Sequence, residues 1–263
     1  MILDEKKVYG FVRGCLQSTF DNPQPIPEFH KTLWGLCCSD HKYIAVAAPR
    51  GHAKSTALTL SYALAAVLFR DSKFVIILSD TEGQSSNFLG DIKNQLIENE
   101  DIHNLFGKPR LLKDSETNII VEMPDGHQFR IMAKGAQQRL RGLKWRNKRP
   151  DLILVDDLED DEAVESKERR LKLYRWFTNA VMPSLSDDGR IRVAGTILHM
   201  DSVLEKLLNK KTWVSRRYKA HNEDFSEILW KEKFPKEKLE LIRDSYIEDG
   251  NPSGYSQEYL SYP

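Results

Sequence analysis

Residues 43–69 read YIAVAAPRGHAKSTALTLSYALAAVLF. The apolar run Tyr43 to Ala48 has the composition of a buried strand, Pro49-Arg50-Gly51 ends it, and the apolar stretch through Phe69 then reads as a buried helix. At about 14 residues, from Thr56 to Phe69, that stretch is shorter than the ~20 needed to cross a bilayer. A loop between a buried strand and a helix is where a phosphate-binding loop belongs. Backbone N–H groups at a helix N-terminus present partial positive charge to phosphate. Against the pattern GxxxxGK[ST], both glycines are alanines here, Ala48 and Ala53. Gly51 still supplies one permissive residue. On this reading Pro49, Arg50, Gly51, His52, Ala53, Lys54, Ser55 and Thr56 form the loop, Lys54 meets the β- and γ-phosphates, and the Ser55 hydroxyl ligates magnesium. The plainer alternative is an ordinary helix start with a solvated lysine.

Outward from this segment the same pattern repeats. Lys73 to Ser79 (KFVIILS) is a β-branched strand, and Glu82 to Asn99 has helical spacing at Phe88, Ile92, Leu96 and Ile97. Asn118 to Met123 and Gln128 to Ala133 alternate across Pro124-Asp125-Gly126-His127, a hairpin that reads as an insertion. Leu152 to Val155 and Arg190 to Thr196 (RIRVAGT) are further strands, and Trp213 to Tyr218 is a candidate last one. Between them a long charged helix spans roughly Asp161 to Val181, ended by Pro183. Alternating apolar strands and helices predict an α/β fold with a mostly parallel sheet covered on both faces. From about Phe225 the composition turns charged and aromatic, so 1–224 is expected to form the main domain and 225–263 a small helical appendage or linker.

LILVDD (152–157) carries a second chemical signal. A carboxylate at the C-terminal end of a buried parallel strand lies beside the loop and helix junction, where a magnesium ion held by Ser55 needs a second anchor; Asp156 is that candidate. The next acidic group can polarise an attacking water, and both Asp157 and Glu159 qualify. Alone, an apolar run followed by two aspartates also describes a helix cap. Developing charge on a γ-phosphate calls for cations: Arg50 inside the loop, and Arg139 and Arg141 in QQRLRG. For the latter two a solvated basic face is an equal reading. Thr196, at a strand end, is placed to sense the γ-phosphate or simply to make a turn. His30, His52, His103 and His199 show no metal-ligand spacing.

Lys+Arg and Asp+Glu balance at 39 each in 263 residues, so global charge identifies no nucleic-acid partner. The distribution is uneven: Lys134 to Pro150 holds seven basic residues, no acidic one and Trp145, while Asp151 to Glu168 holds nine acidic residues and one lysine. The basic stretch can grip phosphates, with the indole available for stacking, or be a solvated loop. With 40% apolar and 10% aromatic residues the chain can build a sizeable core. Cys15, Cys37 and Cys38 form neither a disulfide framework nor a metal pattern, which fits a reducing cytosol, and MILDEKKVYGFVRG lacks the apolar core of a secretory signal.

PRGHAKST, the LILVDD strand following RLRG and RP, the VAGT strand and the closing SQEYLSYP together resemble the ATPase domain of the large terminase subunit of tailed bacteriophages, over roughly Pro25 to Pro263. The resemblance implies a P-loop NTPase of the additional-strand, RecA-like type, hydrolysing ATP with Mg2+ to translocate double-stranded viral DNA into a prohead. It implies a ring on the portal protein, a small terminase subunit as partner, no membrane association, and work in the host cytoplasm and at the prohead portal. By this similarity Lys54, Ser55 and Thr56 map to the phosphate loop, Asp156 to the magnesium carboxylate, Asp157 to the catalytic carboxylate position (more usually Glu), Gly195-Thr196 to the coupling motif, and Arg50 to an arginine within the loop. Arg139 or Arg141 lies where a finger reaching a neighbouring subunit is expected. IPEFHKTLW looks like the adenine-proximal region, placing Phe29 and His30 near the base. No acidic cluster of the family's nuclease follows before Pro263, so no nuclease domain is expected here. A helicase-like remodelling ATPase and an assembly module that binds ATP without turnover remain the rival readings.

Overall fold

The structure, a computed structural model, describes residues 2–262. Helix α1 (Glu5–Phe11) is capped by Asp4, whose carboxylate accepts the Lys7 amide hydrogen at 2.9 Å. Helix α2 (Glu28–Cys38) leads into β1 (Tyr43–Ala47). After the loop, the chain winds through a wide π-type turn (Thr56–Tyr62) into α3 (Ala63–Leu68). Then come β2 (Phe74–Ser79), α4 (Glu82–Glu98), α5 (Glu100–Phe106), β3 (Arg110–Lys113), β4 (Asn118–Glu122), β5 (Gln128–Gly135) and β6 (Leu152–Asp156). The rest is α6 (Asp161–Glu165), α7 (Lys167–Trp176), β7 (Arg190–Gly195), α8 (Val203–Leu208), β8 (Val214–Arg217), α9 (Lys236–Glu248) and α10 (Pro252–Leu260).

The strands form one sheet in the order β3-β4-β5-β2-β6-β7-β1-β8, parallel from β5 to β8 and antiparallel at β3-β4-β5. β7 is inserted between β1, which enters the phosphate loop, and β6, which ends in Asp156. This is the additional strand expected above. Both faces of the sheet are buried. Ile44, Val46, Val75, Ile77, Leu152 and Leu154 pack beneath α1 to α4, and Ala45, Ile76, Ile153, Val155, Ile191 and Val193 pack beneath α7 and α8. The period of two therefore sorts each strand's side chains onto two helical layers, and the strands' carboxyl ends meet at one edge, where ligands bind in such sheets.

Two expectations need correction. The hairpin is not an insertion. Its second strand, β5, lies parallel to β2, with Phe74 opposite Arg130 and Ser79 opposite Gly135, and so continues the main sheet. The helix expected over 161–181 is broken into α6, α7 and a wide turn at Phe177–Val181, with Ser166 capping the Arg169 amide hydrogen. Helix α1 and strand β3 were not anticipated.

One buried cation ties β7 to its surroundings. Arg192, 1% exposed, donates to the carbonyls of Cys37 (3.0 Å), Ser39 (2.9 Å) and His41 (2.7 Å). It holds the connection from α2 to β1 against the strand that delivers Thr196 to the site. The guanidinium's fork of donors suits this task, which a lysine's single ammonium could not fill.

Candidate active site

Three distant segments converge at the carboxyl edge of the sheet. Lys54 opens the helix after the loop. Its ammonium, largely buried, donates to Thr196 Oγ1 at 3.0 Å and to the Pro49 carbonyl at 3.4 Å. Thr196 in turn donates its backbone N–H to Asp157 Oδ1 at 2.9 Å, and the Asp157 N–H donates to the Ala194 carbonyl at 3.1 Å. The loop lysine, the end of β7 and the acidic end of β6 are thus linked in one hydrogen-bonded path.

Asp156 is wholly buried, and neither of its carboxylate oxygens has a hydrogen-bond partner among the described residues. Desolvation, and then repulsion from Asp157, push its carboxyl well above the usual range; the nearby Ser55 hydroxyl and then the Lys54 ammonium oppose this. An orphaned buried carboxylate is costly unless something pairs with it. A divalent cation with oxygen ligands fits this donor set, Asp156 together with the Ser55 hydroxyl.

The two candidate bases separate. Glu159 accepts the backbone N–H groups of Val203 (2.7 and 2.9 Å) and Leu204 (3.3 Å), capping α8 beside its Ser202 N-cap. Both oxygens are committed here to a helix terminus, a good site for a carboxylate. Asp157 stays at the site in a left-handed backbone conformation (φ 40°), with only one oxygen engaged by Thr196.

The loop's own shape explains its residues. Gly51 has φ 74°, and a Cβ there would lie 2.9 Å from Phe234 Cζ, so conformation and space both demand glycine. Ala53 adopts φ 55° without that freedom. A left-handed alanine costs about 1 kcal/mol or more. Ala53→Gly is therefore expected to raise stability by up to about 1 kcal/mol, part of it offset by the more flexible unfolded chain. Ala57→Gly, inside the following helix, should lower it by about 1 kcal/mol or more. Opposite signs in denaturant unfolding are the check; a loss at both positions refutes the strain argument.

A cavity of about 600 Å³ opens beside the loop, lined by Gln24, His30, Ala53, Thr56, Trp230 and Lys233 among others. His30 and Phe29 part company here. His30 lines the cavity and donates Nε2–H to the His52 carbonyl at 2.9 Å, whereas Phe29 packs behind it on Tyr218 (5.6 Å) and Trp230 (6.3 Å). Burial holds both His30 and His52 down to about 4, so both are neutral at pH 7. The segment after Phe225 packs against this loop. Phe234 stacks on His52 (4.4 Å, 8°), the Arg50 N–H donates to the Glu258 carbonyl at 2.8 Å, and the Arg50 guanidinium lies 3.5 Å from the Glu258 carboxylate. Sequence reasoning missed Trp230, Lys233 and Glu258.

The remaining arginines lie outside this cluster. Arg139 is exposed and has no hydrogen-bond or ion-pair partner among the described residues; Arg141 donates to the Asn179 carbonyl at 2.9 Å. Trp145 is half-buried against Phe74 with the Arg146 guanidinium 5.2 Å above its ring. No group of three His, Cys, Asp or Glu that could hold a metal occurs among the described residues.

Neither a protein-family model nor a curated protein matches the sequence. Solved structures match the fold. The large terminase ATPase domain of Thermus phage P74-26 superposes with a TM-score of 0.62 over 90% of this chain and 93% of its own, at 15% identity. The chain has the fold of a phage large terminase ATPase domain. The HK97 bacteriophage large terminase gives a TM-score of 0.63 at 13% identity, covering 98% of this chain and 55% of that one. A thermophilic-phage large terminase in complex with ATP-gamma-S gives 0.53 at 15% identity, with 90% and 53% covered. The chain thus spans about half the length of these two. Within this terminase-type fold the inserted strand β7 and the converged β1, β6 and β7 ends are the features that position Lys54, Asp156, Asp157 and Thr196.

Proposed function

We propose that the protein is a magnesium-dependent ATPase that couples γ-phosphate hydrolysis to translocation of double-stranded viral DNA, as the ATPase part of a large terminase. It would act as a ring on the portal, with a small terminase subunit, in the host cytoplasm and at the prohead. The observation that carries the reading is the path Lys54–Thr196–Asp157 beside the unpaired Asp156. The loop's backbone N–H groups and the helix start receive the phosphates, and Lys54 exchanges its bond to Thr196 for the β- and γ-oxygens. Ser55 and Asp156 would hold Mg2+, which neutralises charge on those oxygens when bound. Asp157 orients the attacking water and takes its proton through the oxygen that Thr196 leaves free. Thr196, which keeps its bond to Asp157 and loses the one to Lys54 when phosphate binds, relays the state of the γ-phosphate to β7. Arg50 is the cation within the same subunit, and exposed Arg139, with Arg141 beside it, suits a phosphate bound to a neighbouring subunit.

The test is phosphate release from ATP by the purified chain, across protein concentrations, against Lys54→Ala. Nucleotide binding with no turnover at any concentration would instead identify an assembly module, and duplex unwinding would identify a helicase. The cavity adds a specific expectation. Trp230→Ala, which removes one wall, should raise the KM for ATP about tenfold with kcat changed less than threefold, because it strips ground-state and transition-state binding alike. An unchanged KM would place the base elsewhere.

A further inference from the structure

The basic stretch 134–150 does not stand alone. It is laid alongside α7 and the turn that follows by three hydrogen bonds that step down the same face of the sheet. Trp176 Nε1 donates to the Gln138 carbonyl (3.0 Å), Arg141 to the Asn179 carbonyl (2.9 Å) and Arg149 to the Pro183 carbonyl (3.0 Å). The helix presents its own exposed stripe there, Glu168, Leu171, Lys172, Arg175 and Asn179, at the i, i+3, i+4 spacing of one face. Lys144 and Arg149 from the loop, and Lys172 and Arg175 from the helix, are all exposed. None forms an ion pair among the described residues. Glu168 is the sole acidic side chain from 167 to 179.

We infer that this seam between the loop and α7 is a binding surface for the phosphate backbone of duplex DNA. The inference rests on the proposed function for its partner and adds the place of contact, including the helix face that the sequence did not single out. Unpaired cations on two elements, tied into one seam, concentrate positive potential on a chain whose net charge is zero. From Glu168 to Asn179 the stripe runs about 16 Å at helical rise, enough to face phosphates on both strands of a duplex that carries one charge per ~1.7 Å. A protein partner would call for an apolar centre, and the stripe offers only Leu171, 38% exposed. Single-strand binding calls for aromatic platforms. Trp145 is half-buried under Arg146, and Trp176 is held through its indole N–H.

Binding of a fluorescent duplex of about 30 base pairs to the full chain, followed by anisotropy from about 50 to 200 mM salt, tests this. Lys172→Glu with Arg175→Glu is expected to weaken binding at least tenfold. The neutral pair Lys172→Ala with Arg175→Ala should lower the slope of log K against log salt by about 2, near one per lost phosphate contact. Both pairs are solvent-facing, so thermal melts and ATP turnover without DNA should match the parent. Unchanged affinity and slope in both variants, or equal displacement by single-stranded DNA, overturns the inference. So does an altered dependence of turnover on protein concentration with DNA binding intact, which would make the seam a subunit contact. ATP turnover by the unmodified chain without DNA is scored separately, so failure of the seam and failure of the ATPase reading remain distinct.

Discussion

Lys54→Ala should reduce ATP turnover by at least about a hundredfold while leaving the fold intact. The size follows from what the ammonium does: it is a buried, preplaced cation where charge gathers on the β- and γ-oxygens, and losing one such donor costs about 10²–10³ or more in rate. The fold should survive because alanine is the better helix former at this position and the side chain's present bonds are only to the Thr196 hydroxyl at the end of β7 and to the Pro49 carbonyl of its own loop. Lys54→Arg should not rescue. A planar fork on a longer stem cannot take the ammonium's place between the Pro49 carbonyl and Thr196. Phosphate release under saturating ATP and Mg2+, with thermal melts of both variants, decides the matter. Turnover within tenfold of the parent would remove the phosphate-loop assignment on which the functional reading stands.

The parts of the site that could be read from the sequence are those carried by buried parallel strands. Tyr43 to Ala47, Leu152 to Asp156 and Arg190 to Gly195 are apolar runs that end in chemistry, and an apolar run flanked by turn residues identifies both the strand and the point where its side chains leave the core. Strand pairing was not legible in the same way. The turn at Pro124 to Gly126 marks β4 and β5 as antiparallel neighbours, but nothing local shows that β5 lies parallel to β2, because a parallel pairing leaves no signature in the connecting chain. Helix α1 was overlooked although Val8, Phe11, Val12 and Cys15 keep helical spacing; the charges between them lie on its exposed side. Trp230, Lys233 and Glu258 meet the loop from some 180 residues or more along the chain, and only their aromatic and charged character hinted at a role. Spacing could not separate Asp157 from Glu159, since two residues along an irregular segment point wherever the backbone turns.

That separation yields the second large expected effect. Asp157→Asn should cut turnover by at least about a hundredfold with little loss of stability, and Glu159→Gln should do the reverse. Asparagine keeps an oxygen to accept the Thr196 N–H, so the link between β6 and β7 persists; what vanishes is the charge and basicity that a proton acceptor needs, a contribution of about 10²–10⁴ in rate. Glutamine at 159 keeps one acceptor for the Val203 and Leu204 amides but loses the charge that favours a helix N-terminus. About 1–2 kcal/mol of stability should go, with turnover changed less than threefold. Measuring both quantities on both variants makes a crossed pattern, which a merely weakened fold would not produce because it would lower turnover and stability together. If Glu159→Gln abolishes turnover while Asp157→Asn leaves it intact, Glu159 must leave α8 to reach the reacting phosphate, and the helix it caps becomes the element that moves.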